Sequence, residues 1–399
     1  MSEYFTPLIV GNNITELPKS MLPASAVDGA GHYPFFCSSS EVKATTTWLQ
    51  EKPTVLMGTG GVASVNYGED RFAYSTDTWG FRSNNAKLET SFLFRRIQQH
   101  LQRIDYAGFE GSGLRHLRKD YVKKLKINVP SPDIQMRIVA ILDSCDLAIK
   151  KTEALIAKYQ QIKAGMMHGL FTRGVTADGK LRPPREQAPD LYQETPIGWI
   201  PKGWDVPRIG DIFDIQLGKM LNKLAKTGKG MAPYLGNRAV QWDFIDSSAI
   251  EEMDFSPSER EKFSLMPGDL LVCEGGDVGR TAMWRGELDG CYFQKAIHRL
   301  RPKSDRAFPA FMLRFMRFAK ENGYFREFTS QSSIAHLTQE KLSAISMFLP
   351  KPDEQNWISE RFNAIDKMIQ NEQSNLYKLH QQKQGLMHDL LTGRVRVQV

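Results

Sequence analysis

The stretch "PSPDIQMRI" (Pro130–Ile138) returns as "PKPDEQNWI" (Pro350–Ile358), 220 positions further along the chain. At that fixed offset, residues 130–175 and 350–395 share 16 identities, among them Pro132 with Pro352, Asp133 with Asp353, Gln135 with Gln355, Ile138 with Ile358, Asp146 with Asp366 and Lys163 with Lys383. The agreement ends on "GMMHGLFTRGV" against "GLMHDLLTGRV". It also reaches upstream without a gap, where Ser112, His116 and Leu117 of "GSGLRHL" meet Ser332, His336 and Leu337 of "QSSIAHL". A match of this length is a duplicated module, so the chain repeats one plan.

Within each copy the apolar residues recur at spacings of three and four. The first series is Ile138, Leu142, Cys145, Ile149, Ile156, Tyr159 and Met166, and the second is Ile358, Phe362, Ile365, Ile369, Leu376, Leu379 and Leu386. This is the seam of a coiled coil. Polar residues interrupt both seams at equivalent places, Thr152 and Glu372, then Lys163 and Lys383, which suits a seam specified for register. Proline and aspartate at 132–133 and 352–353 begin each helix with a fixed φ and a favourable first-turn charge. The pattern predicts helices of about 35 residues, or ~52 Å. Two amphipathic helices packed each on its own domain would show the same stripe, but few single-domain helices reach that length.

Between the first helix and the following globular part lies "TRGVTADGKLRPPREQAPDLYQETPIGWIPKG", with five prolines and little periodicity, which reads as a linker. "TVLMGTGGVASV" from Thr54 and "DLLVCEGGDVGRTAMW" from Asp269 both read as strand, glycine turn, strand. The predicted order is a mixed globular unit (1–130), a helix (131–172), a proline-rich linker (173–203), a second mixed unit (204–350), and a second helix with the C-terminal tail (351–399). The fold class is α+β, with β-rich cores in the globular units and a pseudo-two-fold internal repeat.

A chain of 399 residues exceeds what one hydrophobic core usually organises, which agrees with two units. No apolar run reaches the roughly 18 residues of a spanning helix, and "MSEYFTPLIV" does not read as a signal peptide, so a cytoplasmic location is expected. Cys37, Cys145, Cys273 and Cys291 lie far apart without a CxxC pair, which argues against a zinc cluster or a disulfide framework and predicts no metal. A net charge of +7 and a pI near 9.0 fit a polyanionic partner. "RRIQQHLQR" from Arg95 and "RHLRKDYVKKLK" from Arg115 gather cations as a phosphate-facing surface would.

The glycine turns "GTGG" at Gly58 and "EGGDVG" near Gly275 would cradle a phosphate if a helix followed, but strands are expected there. Gly228 and Lys229 are followed by glycine, where a P-loop needs Ser or Thr. Neither an amino-methyltransferase tetrapeptide of the "NPPF" or "DPPY" kind, nor HExxH, nor Gly-x-Ser-x-Gly occurs. No catalytic residue is assigned.

The duplicated "PxPxxQ" helix start, the ending "GLMHDLLTGRV", "IPKGWDVPRIGDI", "YLGNRAVQWD" and "PGDLLVCEGGDVGR" together resemble the specificity subunit of type I restriction-modification systems. The resemblance covers nearly the whole chain and is strongest from about Glu194. It implies two target recognition domains, each reading one half of a bipartite, asymmetric duplex DNA site, with two long helices packed as an antiparallel coiled coil that sets the gap. It further implies a non-catalytic chain that docks two modification subunits, which carry S-adenosylmethionine and methylate adenine, and a restriction subunit that translocates and cleaves DNA. No cofactor is expected in this chain. The N-terminus departs from the pattern, because no "GWxxxxLGD" opening precedes "YPFFCSSSE".

Base recognition needs donors and acceptors on loops that enter the major groove, with cations on the phosphates. The DNA-binding candidates are Ser38, Ser39, Ser40, Ser112, Arg115, His116 and Arg118 in the first domain. Those in the second are Lys219, Asn222, Lys223, Asn237, Arg238, Gln241, Lys295, Gln331, Ser332, Ser333 and His336. Two rival readings are a glycine-loop nucleotide-binding enzyme, decided by whether a helix follows the turns, and a coiled-coil scaffold that touches no DNA.

Overall fold

The computed structural model of the chain describes residues 5–221, 228, 230–326 and 336–397, which divide into two compact units. One unit takes Met1–Leu155 with Glu372–Val399, and the other takes Ile156–Asn371. Each unit therefore includes part of both long helices, where the sequence led us to expect separate helical segments.

The first unit runs β1 (Thr6–Ile9), β2 (Ile14–Glu16), β3 (Tyr33–Phe36), β4 (Val42–Thr45), β5 (Thr54–Gly58), β6 (Val65–Gly68), β7 (Ala73–Tyr74) and β8 (Thr78–Ser83). Helices α1 (Thr90–Gln99) and α2 (Leu101–Ala107), strands β9 (Phe109–Glu110) and β10 (His116–Leu117), helix α3 (Lys119–Lys123) and strand β11 (Lys126–Val129) then lead into the first long helix, α4 (Pro132–Arg173). The second unit adds β12 (Tyr192–Thr195), β13 (Gly198–Pro201), α5 (Ile209–Ile212), β14 (Phe213–Leu217), β15 (Met231–Leu235), β16 (Glu251–Asp254) and α6 (Pro257–Lys262). It continues with β17 (Leu270–Cys273), β18 (Thr281–Met283), β19 (Tyr292–Phe293), β20 (Ile297–Pro302), α7 (Pro309–Glu321), α8 (Gln339–Ala344) and the second long helix, α9 (Pro352–Thr392).

The two units share one topology. A four-stranded sheet has the order β2-β8-β5-β6 in the first and β14-β20-β17-β18 in the second. A three-stranded sheet has the order β4-β3-β7 and β16-β15-β19, with its last pair parallel in both units. Strand β5 is buried at every residue because both faces are covered: Val55 and Met57 meet Phe92 and Leu93 of α1, while Leu56 meets Phe36, Phe72 and Tyr74. In β17, Leu270 and Val272 join the core that includes Phe311 and Phe315 of α7, and Leu271 and Cys273 join the core of the β15 sheet. Burial on both faces explains why these strands read as continuous apolar runs.

The repeated glutamine explains the motif that opens each helix. Gln135 is fully buried; its amide donates to the carbonyls of Pro130 (2.7 Å) and Lys87 (2.7 Å), and its oxygen accepts from the backbone N–H of Glu89 (2.9 Å). Gln355 does the same with Pro350 (2.8 Å), Arg306 (2.8 Å) and the N–H of Phe308 (2.9 Å). Each glutamine thus fastens the start of a long helix to the residues that lead into α1 or α7, satisfying buried backbone groups that have no ladder partner.

The helices are longer than the expected 35 residues, at 42 and 41. They continue because Met167, Leu170 and Phe171, and Leu390 and Leu391, are buried in the cores of their units. They stop at Gly174 (φ 64°) and Gly393 (φ 75°), the left-handed position that glycine fills at a helix C-terminus. Every seam residue named from the sequence is buried or half-buried, and so are Thr152, Lys163, Glu372 and Lys383. Within the second unit Lys163 meets Asp366, Phe171 lies 6.0 Å from Phe362, and Glu354 accepts from the N–H of Val175 (2.7 Å). Rising numbers on α4 meet falling numbers on α9, so the pair is antiparallel. In the first unit Lys383 meets Asp146, and the carbonyl of Leu391 accepts from Arg96 (2.5 Å).

One ion cluster, built on a buried arginine, occurs in both units. Arg95 of α1, 4% exposed, pairs with Asp143 and Asp146 (2.7 Å), and Asp146 also binds Lys383 (2.5 Å). Arg314 of α7, also 4% exposed, binds Asp366 (2.7 Å) and Asn363 (3.3 Å), and Asp366 binds Lys163 (2.7 Å). Burial opposes the ionisation of Asp146, but hydrogen bonds from Lys383 and Arg95 outweigh it and hold the carboxyl below its usual range. Where the first unit has Asp143, the second has Asn363, and the missing charge comes from a loop. Asp243 binds Arg314 (2.9 Å) and lies 3.8 Å from Lys163. It adopts φ 72°, a left-handed conformation that aspartate tolerates better than most residues.

The proline-rich segment carries more structure than a linker. It folds into the hairpin β12–β13, and Tyr192, Ile200 and Trp204 are buried. Trp204 Nε1 donates to Glu354 (3.0 Å), which also binds Arg182 (3.0 Å). The unusual N-terminus has a related solution. At Gly174 the space a side chain would need is filled by Glu354, Arg182 and Trp204, and at Gly393 it is filled by the ring of Phe5. Bridges from Asp205 to Leu349 and Arg208 to Ser346 stand where β1 pairs with β11.

Asp243→Asn, which keeps the tolerant backbone conformation, is expected to destabilise the chain by about 2 kcal/mol in denaturant unfolding. Adding Asn363→Asp should recover at least half of the loss, because it restores the carboxylate that the first unit has at Asp143. Additive losses would contradict the shared cluster.

Candidate nucleic-acid interface

In each unit three loops meet at the glycine turn. In the first, the Ser38 hydroxyl donates to the carbonyl of Asp77 (2.6 Å) and accepts from the N–H groups of Thr59 (2.9 Å) and Gly60 (3.3 Å). The N–H of Leu117 donates to Thr59 (3.0 Å), and that of Gly61 to Arg115 (2.9 Å). In the second, the Asn237 amide donates to the carbonyl of Gly275 (3.1 Å), Arg280 binds the Asn237 carbonyl (2.6 Å), and the N–H of Leu337 donates to Glu274 (2.8 Å). His116 and His336 thus occupy equivalent places beside equivalent turns. Gly61 (φ 81°) and Gly276 (φ 74°) supply the left-handed residue in each. Strands β6 and β18 follow the turns, which removes the helix that a phosphate-cradling loop needs.

The candidates named from the sequence fall into three groups. Ser40, Ser112, His116, Arg238, Lys295 and His336 are exposed, and their side chains form no hydrogen bond or ion pair among the described residues. Several others shape the loops instead. Ser38 and Asn237 brace the glycine turns, Ser39 binds the backbone of Glu41 (3.2 Å), and Gln241 binds the carbonyl of Arg238 (2.7 Å). Arg115 is paired with Asp105 (2.9 Å), and Arg118 with Glu110. Lys219 is largely buried, donating to Glu259 (2.6 Å) and the carbonyl of Asp254 (2.6 Å). Asn222, Lys223, Gln331, Ser332 and Ser333 lie outside the described residues.

The basic stretch from Arg95 divides as well. Arg95 and Arg96 are buried rather than phosphate-facing, and burial pushes the Arg96 guanidinium down to about 10. Arg103 faces outward. With Arg118, Lys119 and Lys124 it lines a cleft of about 680 Å³ whose one acid is Asp120. A neighbouring cleft of about 270 Å³ is lined by Lys19, Thr59, Thr76, His116 and Lys119. Arg103, Lys124 and Lys19 are exposed and form no ion pair among the described residues, which leaves them available to phosphates. Sequence reasoning missed Lys19, Arg103 and Lys124 as site residues, although the latter two lie in the stretches flagged as basic. The described residues contain no group of three or more His, Cys, Asp or Glu placed to hold a metal, and no helix long and apolar enough to cross a membrane.

Two copies of one loop cluster, braced alike and differing in exposed side chains, define a duplicated recognition module carried on paired long helices. Residues 14–161 and 201–381 match the family described as type I restriction modification DNA specificity domain. The chain belongs to this family of specificity subunits and carries two target recognition domains. It is 23% identical over 403 residues to the type I restriction enzyme MjaVIII specificity subunit of Methanocaldococcus jannaschii, covering 95% of this chain and 90% of that protein. It is 22% identical over 213 residues to the EcoDI specificity subunit of Escherichia coli, covering 51% of this chain and 47% of that protein. The fold is similar to the crystal structure of the type I S subunit from M. genitalium, with a TM-score of 0.64 and 16% identity over 98% of this chain and 97% of the other.

Replacing Lys19, Arg103 and Lys124 by alanine together is expected to reduce the slope of log binding constant against log salt by about 2 to 3 units on duplex DNA, with base preference unchanged. An unchanged slope would remove this surface from the phosphate contacts.

Proposed function

We propose that each unit reads one half of a bipartite, asymmetric duplex site, and that the paired helices set the gap and dock two modification subunits. The observation that carries this reading is the double occurrence of the glycine-turn cluster on one scaffold. The scaffold contacts are repeated, whereas the loop side chains differ: the position of Ser39 is Arg238 in the second unit, and that of Val62 is Asp277. Two readers of one geometry with different surfaces suit two different half-sites. In this reading the chain performs no chemistry. The modification subunits bind S-adenosylmethionine and methylate adenine, a restriction subunit acts on the same assembly, and the complex works in the cytoplasm.

The glycine-loop enzyme reading has no support from turns that lead into strands, and a scaffold without DNA contact has none from membership of a DNA specificity family.

The test is methylation of genomic DNA by the purified chain with and without its modification subunit, followed by mapping of the modified adenines. Methylation is expected only in the mixture. Arg238→Ala should relax one half-site by ~1 to 3 kcal/mol and leave the preference at the other intact. Methylation by the chain alone, or equal relaxation of both half-sites, would contradict the reading.

A further inference from the structure

Beside the glycine turn of the first unit, two branched aliphatic side chains stand in water. Val62 is 69% exposed and Leu114 is 67% exposed. Each is the next residue beyond the hydrogen bond between the N–H of Gly61 and the carbonyl of Arg115, so the two positions flank the end of that short ladder. The tip is held from below. The Asp105 carboxylate accepts from the N–H of Ala63 (2.8 Å) and from Arg115 (2.9 Å), gripping the residue next to each aliphatic. A side chain placed on Gly61 or Gly113 would project into open space, so something broad can approach the tip. Around it lie His116, exposed, and the clefts lined by Lys19, Arg118 and Lys119.

We infer that Val62 and Leu114 form an apolar fingertip that contacts bases of the half-site read by the first unit, which rests on the function proposed above. Duplex DNA is the occupant because the tip continues the loop cluster of the recognition module and is flanked by cations. The apolar surface that a duplex offers is either the 5-methyl group of thymine in the major groove or the face of an unstacked base. At the matching turn of the second unit the position of Leu114 is Ile334, which lies outside the described residues. The position of Val62 is Asp277, which is tied to Trp242 (2.6 Å) and Lys320 (2.8 Å).

The test uses the full chain assembled with its modification subunit and a duplex carrying the site found by methylation mapping. Val62→Ser with Leu114→Ser is expected to weaken binding to that duplex about tenfold at fixed salt. Binding to a scrambled duplex and the preference at the other half-site should not change. Because both side chains are exposed the fold should survive, and Leu114→Ala alone provides a milder variant with the same direction of effect. Deoxyuridine in place of thymine that weakens only the unsubstituted protein identifies methyl contact, and a 2-aminopurine signal lost in the double variant identifies an unstacked base. Unchanged site binding by the double variant, or equal loss at both half-sites, would overturn the inference. An unsubstituted complex that does not prefer the mapped site over scrambled duplex would instead overturn the proposed function.

Discussion

The cluster in which Arg95 and Lys383 share Asp146, repeated as Arg314 and Lys163 sharing Asp366, is the constraint on which the architecture turns. A guanidinium that is 4% exposed has lost most of its hydration, and only well-placed carboxylates offset that cost. The partners come from a helix of the recognition domain and from both long helices. The charges are therefore satisfied only when those elements meet in one register. Apolar seam residues tolerate sliding by a heptad, whereas a buried arginine that needs its carboxylate does not. The cost of an error at this point exceeds what most single hydrophobic contacts contribute.

That junction lets the two recognition domains keep one scaffold while their surfaces diverge. The buried glutamines at 135 and 355 and the ion clusters hold each long helix to its domain through the same contacts. The glycine turns are braced by Ser38 in one case and by Asn237 in the other, two different side chains performing one structural task. Side chains on the loops beyond these braces, such as Arg238, Lys295, Val62 and Leu114, are exposed and free to differ between the two domains. Asp243 shows the limit of this freedom: it belongs to a loop of the second domain, yet it supplies the carboxylate that the helix lacks at Asn363.

Much of this was legible from the repeat. The offset of 220 aligns Asp146 with Asp366 and Lys163 with Lys383, and the polar interruptions at the two lysines are the positions that later proved to bind across the helix pair. The strand-turn-strand reading of the glycine stretches also survives. What a constant offset misses are correspondences on either side of an insertion. Arg95 and Arg314 are 219 apart, Gly60 and Gly275 are 215 apart, and Ser38 and Asn237 are 199 apart. For the same reason Phe5 is not seen in sequence as the counterpart of Trp204. The linker hides its hairpin because five prolines mask the short β-like runs "YQET" and "GWIP". Among the site candidates, residue type alone does not separate a serine that braces a turn from one that faces solvent. That distinction depends on contacts made between loops.

In the proposed function the paired helices fix the spacing of two independent readers, and lengthening them tests this most directly. One heptad added to each helix, after Thr152 and after Glu372, keeps the seam in register and adds ~10.5 Å of helix. That length matches about three base pairs, with roughly 100° of duplex rotation. The measurement is a genome-wide map of methylated adenines made with this variant, after confirming that it folds and still binds its modification subunit. The expected result is loss of methylation at the original site, with surviving activity moved to the same two half-sites at a longer gap. An unchanged site with an unchanged gap would show that the helices do not set the spacing.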